Sequence, residues 1–269
     1  MSSALMQVNV FKPESLGTIE IFGTSLSTQT QALLIALQEC NVKYIHHPSM
    51  PNSPEIANFS PFGKIPVLVH RPNGIYSTRD AVVLFEMTAI CQYLTELVGF
   101  METSGTFCLM PKIQDERSRE FADSVVLRSN VLQLNTIVSS YIQTVVEDRY
   151  VKPFFALRNN GASHDDIHAA LTENFDNAMN ALIQLEQIIT KVQERLHILP
   201  ETSFILGQEP TWVAVFLFPI LRDFRATNPR MVLAGGSQER LPLLTNFVQA
   251  FEIRASAVNT FRGSFAGSV

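Results

Sequence analysis

The chain has 269 residues, of which 46% are hydrophobic and 17% charged, and its net charge is −5. The hydrophobic content is enough to fill the core of one large domain or two ordinary ones, which excludes a disordered chain. A negative chain gives no attraction to phosphate backbones, so we expect no nucleic-acid partner. The charged fraction lies below the roughly 25% of an average soluble protein, which favours a homodimer that hides part of the surface.

Three cysteines show neither the paired spacing of a disulfide framework nor the ligand spacing of a zinc site. The first charge, Lys12, follows the apolar residues of the N-terminus, which is the wrong order for a signal peptide. The longest apolar run, 212–221, is too short to cross a bilayer. We therefore expect a reduced, cytoplasmic protein with no metal and no membrane partner.

The N-terminal third alternates between strands and helices. Alternating or short apolar runs predict strands, and apolar spacings of three and four residues predict helices. The predicted order is an arm at 1–17, a strand at 18–22, a helix at 28–40, a strand at 42–46, a proline-rich loop at 48–61 with at most one short helical turn, a strand at 65–69, a hairpin turn at 71–74, a return strand ending at 81–85 and a helix at 86–98. This βαβ, loop, ββα order indicates an α/β domain.

After a linker at 99–112, the pattern is that of helices only. The predicted helices are 113–147 with a bend, 163–193, 210–226 and 240–254. Trp212 to Leu221 is apolar on every face, which predicts the buried central helix of a bundle. Ser163, three residues before Asp166, predicts a capped helix start, which explains the polar cluster around His164 and His168 better than a metal site.

The start of the first helix is a candidate anion site, because first-turn amides are unpaired and the helix dipole adds partial positive charge. The segment Phe22-Gly-Thr-Ser-Leu-Ser27 places serine hydroxyls there and lacks a redox cysteine, which excludes disulfide chemistry. Ser27 can donate a hydrogen bond to a bound anion, or it can only cap the helix. The sequence leaves both roles open.

Two further positions suit a peptide-like ligand. Pro66 would remove a ladder donor from a central strand, whereas a cis proline at a strand edge leaves the amide and carbonyl of Ile65 free. Glu86 begins a helix beside unpaired amides, so carboxylate and amides together can bind the ammonium and carboxylate of an amino-acid end group. An ordinary edge proline and a solvated first-turn acid are the alternatives at these positions.

Three segments carry a resemblance to a known family. They are Phe22-Gly-x-x-x-Ser27, Ser60-Pro-Phe-Gly-Lys-Ile-Pro66 and Phe85-Glu-Met-Thr-Ala-Ile90-x-Gln-Tyr93. Together they resemble phi-class glutathione transferases, the serine type of plants and fungi. The resemblance implies an α/β plus all-α fold, with a thioredoxin-like N-terminal domain at 1–98 (core 18–98) and an all-helical C-terminal domain at 113–269.

The resemblance also implies roles for single residues, with glutathione as co-substrate. Ser27 would be the catalytic hydroxyl that hydrogen-bonds the glutathione sulfur. Ile65 would pair through its backbone with the cysteinyl unit, next to the cis proline Pro66. Glu86 would hold the γ-glutamyl ammonium, and Lys64 would reach the backbone or the glycine carboxylate of glutathione.

Departures from the family pattern imply weaker glutathione binding. Met87 and Thr88 replace a serine and an arginine at the γ-glutamyl end. Pro51 or Asn52 replaces a basic or imidazole contact from the proline-rich loop. Ala214 replaces the aspartate that caps the buried helix, so Thr211 is expected to cap alone.

The function implied first is a glutathione transferase-like enzyme that activates the thiol for addition to a hydrophobic electrophile. A second possibility is an isomerase or cyclase of specialised metabolism, such as fungal secondary metabolism, with weak or no glutathione dependence. A third is a non-catalytic binding module. The pocket for the second substrate is expected at Leu26, Phe121, Val125 and Arg128.

Overall fold

The structure is a computed structural model that describes residues 16–73, 80–99, 109–114, 116–118, 120–199, 202–228 and 240–268. The predicted arm before residue 16, the predicted turn residue Gly74 and most of the predicted linker lie outside these residues. The chain divides into two compact units. The first falls within residues 1–24 and 37–108, and the second within residues 25–36 and 109–269.

The first unit is built on a four-stranded mixed sheet, which confirms the predicted α/β domain. Its elements are β1 (Gly17–Phe22), β2 (Ile45–His47), the short helix α2 (Pro54–Ala57), β3 (Val67–Pro72), β4 (Val82–Phe85) and α3 (Met87–Gly99). The strand order is β2-β1-β3-β4. Strand β1 pairs with β2 in parallel, and β3 pairs with β1 and β4 antiparallel.

The register of β3 brings the start of this strand beside two other strand ends. Val67 lies opposite Phe22 of β1 and opposite Phe85 of β4. Phe22 and Val67 share a buried cluster with Ile56 and Val69, against which Ile65 packs. Pro66 directly precedes Val67, and Glu86 directly follows Phe85. The pairing of Val67 with Phe85 therefore holds Pro66 and Glu86 at the same end of the two strands.

The second unit is helical, as predicted. Helix α1 (Thr28–Glu39) begins in this unit and ends in the first. The other elements are α4 (Phe121–Ile137), a π-helix (Val138–Val151), α5 (Lys152–Asn159), α6 (His164–Arg195), α7 (Trp212–Thr227), α8 (Pro242–Glu252), α9 (Ala255–Phe261) and a 3-10 turn (Ala266–Ser268). No helix among the described residues is both long and apolar enough to cross a membrane.

Helix α7 is the predicted buried central helix, since every residue from Trp212 to Phe224 is buried. The prediction that Thr211 caps this helix through its side chain is wrong, because its buried hydroxyl has no partner among the described residues. The first-turn amide of Trp212 instead donates to the carbonyl of Leu109 at 3.0 Å. A carbonyl from the start of the second unit thus satisfies one of the unpaired first-turn donors of α7.

The predicted helix at 113–147 differs from the observed structure in two ways. Helix α4 begins only at Phe121, and the chain then continues as 14 residues of π-helix, Val138–Val151. Wide turns of this kind are rare and occur often at functional sites. The predicted cap of α6 is confirmed, since the Ser163 hydroxyl accepts the Asp166 amide at 3.2 Å.

Candidate functional site

Ser27 is the residue immediately before helix α1, where its carbonyl accepts the first helical hydrogen bond from the Gln31 amide at 2.9 Å. Its half-buried hydroxyl oxygen accepts the amide of Thr30 at 3.3 Å. A serine hydroxyl has one proton to donate beside its acceptor lone pairs. Among the described residues, Ser27 Oγ makes no other hydrogen bond, so capping leaves its proton available for a ligand.

Ser25, the other serine of this turn, is held in place by contacts with Gln31 and Gly263. Its carbonyl accepts a hydrogen bond from the Gln31 side chain at 2.7 Å. Its Cβ and Oγ lie against Gly263, where an added Cβ would overlap them. Of the two serines, Ser27 is therefore the one whose hydroxyl is free to act on a bound group.

The peptide bond between Ile65 and Pro66 is cis, as predicted. Pro66 precedes β3, so its missing amide removes no hydrogen bond from the sheet. Ile65 is half-buried, and none of the loop hydrogen bonds within the described residues involves its backbone. The predicted free backbone groups therefore stand just before the start of β3.

Glu86 has a backbone φ of +71°, a value that residues other than glycine rarely adopt. It caps helix α3 through its carbonyl, which accepts the Ile90 amide at 3.1 Å. The backbone amides of the three residues between Glu86 and Ile90 have no acceptor within the helix. The exposed Glu86 carboxylate thus stands at the start of α3 with unpaired donors, and a left-handed residue at such a place is typical of a functional site.

The other predicted glutathione-binding residues of the first unit differ in exposure. Lys64 and Thr88 are exposed, whereas the side chain of Met87 is only 7% exposed. A serine at position 87 would therefore remove buried apolar surface as well as add a hydroxyl. Thr88, one residue further into the first turn of α3, is the hydroxyl that this chain offers there.

Asn52 has a structural role in the proline-rich loop. It adopts a left-handed conformation with φ of +60°, and its backbone amide donates a hydrogen bond to the carbonyl of Gly63 at 2.9 Å. A side chain at Gly63 would overlap the Asn52 side chain. This contact closes the loop just before Lys64 and fixes the entry to the Ile65–Pro66 bond.

The residues predicted for the second-substrate pocket belong to the second unit. Leu26, Phe121 and Val125 are each between 36% and 39% exposed. Phe121, Val125 and Arg128 share one face of α4 because their spacing is four and three residues. Arg128 is held there by a 2.6 Å hydrogen bond to the carbonyl of Pro111.

A cleft of about 440 Å³ lies elsewhere on α4, between that helix and the end of α6. It is lined by Asp123, Ser124 and Leu127 on one side and by Arg195 and His197 on the other. None of the four residues predicted for the second-substrate pocket lines this cleft.

A buried acidic pair in the second unit was not among the sequence predictions. Glu147 of the π-helix and Asp223 of α7 are both 0% exposed, and neither Glu147 oxygen has a hydrogen-bond partner among the described residues. Burial, then the charge of Asp223, raises the pKa of Glu147 to about 8. Burial raises the pKa of Asp223 to about 6, while Arg222 acts in the opposite direction.

Within the described part of the chain, the cysteines offer no reactive thiol. Burial raises the pKa of the Cys91 thiol, so this sulfur stays protonated and unreactive. Cys40 is also buried, and Cys108 lies outside the described residues. No group of three or more potential metal ligands occurs among the described residues.

A mixed sheet of this order, followed by a helical domain with a buried central helix, is typical of the glutathione transferase class of folds. A family model of the glutathione S-transferase N-terminal domain matches residues 26–97, and one of the C-terminal domain matches residues 165–250. The chain belongs to the glutathione transferase superfamily. No curated protein matches it in sequence.

Solved structures similar to this chain agree on the fold. Glutathione transferase F7 from Populus trichocarpa has a TM-score of 0.65 and 17% identity, over 91% of this chain and 99% of that chain. A glutathione transferase family member from Pseudomonas fluorescens pf-5, with two glutathione bound, has a TM-score of 0.61 and 18% identity over 92% of both chains. FzlA from C. crescentus has a TM-score of 0.62 and 13% identity, over 91% of this chain and 92% of that chain.

Proposed function

We propose that this protein is a glutathione transferase-like enzyme that ionises the glutathione thiol for attack on a hydrophobic electrophile. The observation that carries the proposal is the hydroxyl of Ser27, which caps α1 and keeps its proton for a ligand. A hydroxyl donor and the positive end of a helix both stabilise a thiolate over a thiol. Superfamily membership supports glutathione as the thiol donor.

The reaction consists of one ionisation and one displacement or addition. The thiol gives its proton to water, and Ser27 donates its hydrogen bond to the resulting thiolate. The sulfur lone pair then forms a bond to an electron-poor carbon. In an addition, the displaced electron pair stays on the electrophile, which then takes up a proton. In a displacement, the electron pair departs with the leaving group.

The residues beside the ends of β3 and β4 would hold the peptide part of glutathione. The backbone of Ile65 would pair with the cysteinyl unit next to Pro66, and Lys64 would approach the glycine carboxylate. Glu86 would bind the γ-glutamyl ammonium, and the first-turn amides of α3 would receive its carboxylate with help from Thr88. Because the arginine and serine of the family are absent here, we expect weaker binding than in a typical member.

Replacing Glu86 by glutamine should weaken glutathione binding about 10- to 100-fold, since a hydrogen bond between charged groups contributes about 1.5–3 kcal/mol. Calorimetric titration with glutathione measures this change directly. Glu96→Gln, which alters another exposed acid of α3, is the matched control and should leave the affinity unchanged. Equal affinity of Glu86→Gln and the unchanged protein would contradict the assigned role of Glu86.

The same titration and a panel of electrophiles separate the alternative functions. An isomerase or cyclase of specialised metabolism would turn over a substrate without consuming glutathione. A non-catalytic module would turn over none. Retention of a free hydroxyl at Ser27 favours the transferase over the module, because a scaffold needs only the cap.

We also propose a homodimer. Phe121, Val125 and Leu132 fall on one face of α4 and are all exposed, Leu132 at 51%. Such a row of exposed apolar side chains is typical of an interaction surface, and the low charged fraction agrees with it.

Light scattering should therefore give a mass of about 60 kDa, twice the 30.1 kDa of one chain, because two copies can cover this face. Leu132→Asp should shift the mass toward one chain. Ile253→Asp, at an even more exposed apolar residue of the same unit, should not. A mass near 30 kDa for the unchanged protein would count against the dimer.

A further inference from the structure

A chain of buried polar side chains connects the central helix to the turn that carries Ser27. Gln31 of α1 is fully buried, and its amide nitrogen donates to the carbonyl of Ser25 at 2.7 Å. The amide oxygen of the same side chain accepts a hydrogen bond from the guanidinium of Arg222 on α7. Gln31 therefore ties the Ser25 end of the turn to α7.

Arg222 is itself fixed in place. It is 3% exposed and donates to the Ala257 carbonyl at 3.3 Å and to the Thr260 hydroxyl at 3.4 Å. Its guanidinium also lies 5.2 Å from the ring centre of Phe218. Burial lowers the pKa of Arg222, while Asp223 acts in the opposite direction. A guanidinium that is held from so many sides gives Gln31 a rigid anchor.

The C-terminal segment holds the same turn from another side. Gly263 lies against the side chain of Ser25, and any side chain at this position would overlap it. The segment is in turn attached to α7, because the Ala266 amide donates to the Asp223 carboxylate at 3.1 Å. Ser25 is thus enclosed by Gln31 and by Gly263, two residues before Ser27.

Burying a guanidinium costs several kcal/mol of desolvation, and apolar residues of similar volume are often equally stabilising. Fold stability alone therefore gives little reason for a cation here. A rigid turn next to a reacting group has a clear use, because a misplacement of about 1 Å can reduce catalysis about 100-fold.

We infer that Gln31 and Arg222 are positioning residues, which fix the Ser25–Ser27 turn so that the Ser27 hydroxyl points at the glutathione sulfur. The inference rests on the proposed function and deepens it. Neither residue touches the reacting atoms. Their effect passes through the turn.

Gln31→Met tests the inference, because methionine fills a similar volume but can make neither hydrogen bond. We expect kcat/KM near neutral pH to fall about 3- to 10-fold, as the apparent pKa of the bound thiol rises by about 0.5–1 unit. The affinity for S-methylglutathione, which has no thiol to ionise, should stay within about twofold. Gln193→Met is the matched control, since Gln193 is also a buried glutamine that donates to a carbonyl, that of Ile205, at 2.7 Å.

Gly263→Ala tests the same turn from its other side and leaves the side chains of Gln31 and Arg222 unchanged. It should raise the apparent thiol pKa in the same direction as Gln31→Met. An unchanged pKa in both variants, with altered thermal stability alone, would overturn the positioning role. If the unchanged protein does not lower the thiol pKa at all, the proposed function fails, and this inference fails with it.

Discussion

Ser27→Ala should raise the apparent pKa of the bound glutathione thiol by roughly one to two units and slow conjugation about 10-fold or more near neutral pH. The hydroxyl and the start of α1 act on the same point, and the alanine variant keeps only the helix. The pH profile of kcat/KM measures the shift. The loss of rate should shrink as the pH rises above the thiol pKa, because the thiolate then forms without help.

Two further variants separate catalysis from capping. Ser27→Ala also removes the cap on the Thr30 amide, which costs about 1 kcal/mol of stability. Ser27→Asp keeps an acceptor for that amide but has no proton to donate and repels a thiolate, so it should retain stability and lose activity. Full activity in Ser27→Ala together with loss in Ser25→Ala would move the catalytic role two residues upstream.

Glu147→Gln should remove most of the loss of stability that the protein suffers between pH 6 and pH 9. The native pKa of Glu147 is about 8, above its unfolded value of 4.5, so the native state holds this proton more tightly. Its contribution is fully present below pH 4.5 and is lost as the pH rises through 8. From pH 6 to pH 9 the free energy of unfolding of the unchanged protein should fall by on the order of 3 kcal/mol. The Glu147→Gln variant should not show this fall, because its side-chain amide does not ionise.

The groups around Glu147 make this window specific. Asp223 faces it from α7 and raises its pKa, Lys152 of α5 lowers it, and Asp148 of the π-helix raises it. Asp223 itself titrates near pH 6, at the lower limit of the window. Urea unfolding at both pH values measures the effect, with Glu173→Gln, at an exposed acid of α6, as the control. Parallel stability curves for Glu147→Gln and the unchanged protein would contradict a protonated Glu147.

Local patterns predicted most of the fold because the apolar spacing of each element matches its burial. Trp212 to Leu221, apolar on every face, is the buried start of α7. The π-helix was missed, although Val138, Ile142, Val146 and Tyr150 repeat at a strict spacing of four. A repeat of four is longer than the 3.6 residues of an α-helical turn, so it could have indicated the wider turns of the π-helix.

The site was predictable where it depends on neighbours in sequence. Pro66 and Glu86 stand beside strand ends, and the cis bond and the helix start are both where the sequence placed them. The network behind Ser27 was not predictable, because Gln31 and Arg222 are 191 residues apart in the chain. Glu147 was missed for the same reason, since its partner lies on α7.

The central claim, that Ser27 and α1 ionise the glutathione thiol, is tested most directly by the ultraviolet absorbance of the thiolate in the protein–glutathione complex. Titration of this absorbance against pH, with S-methylglutathione as the blank, gives the pKa of the bound thiol. We expect a value below the ordinary thiol pKa of about 8.5, and a higher value in Ser27→Ala. A bound thiol that titrates at its ordinary value, with no difference between the two proteins, would contradict it.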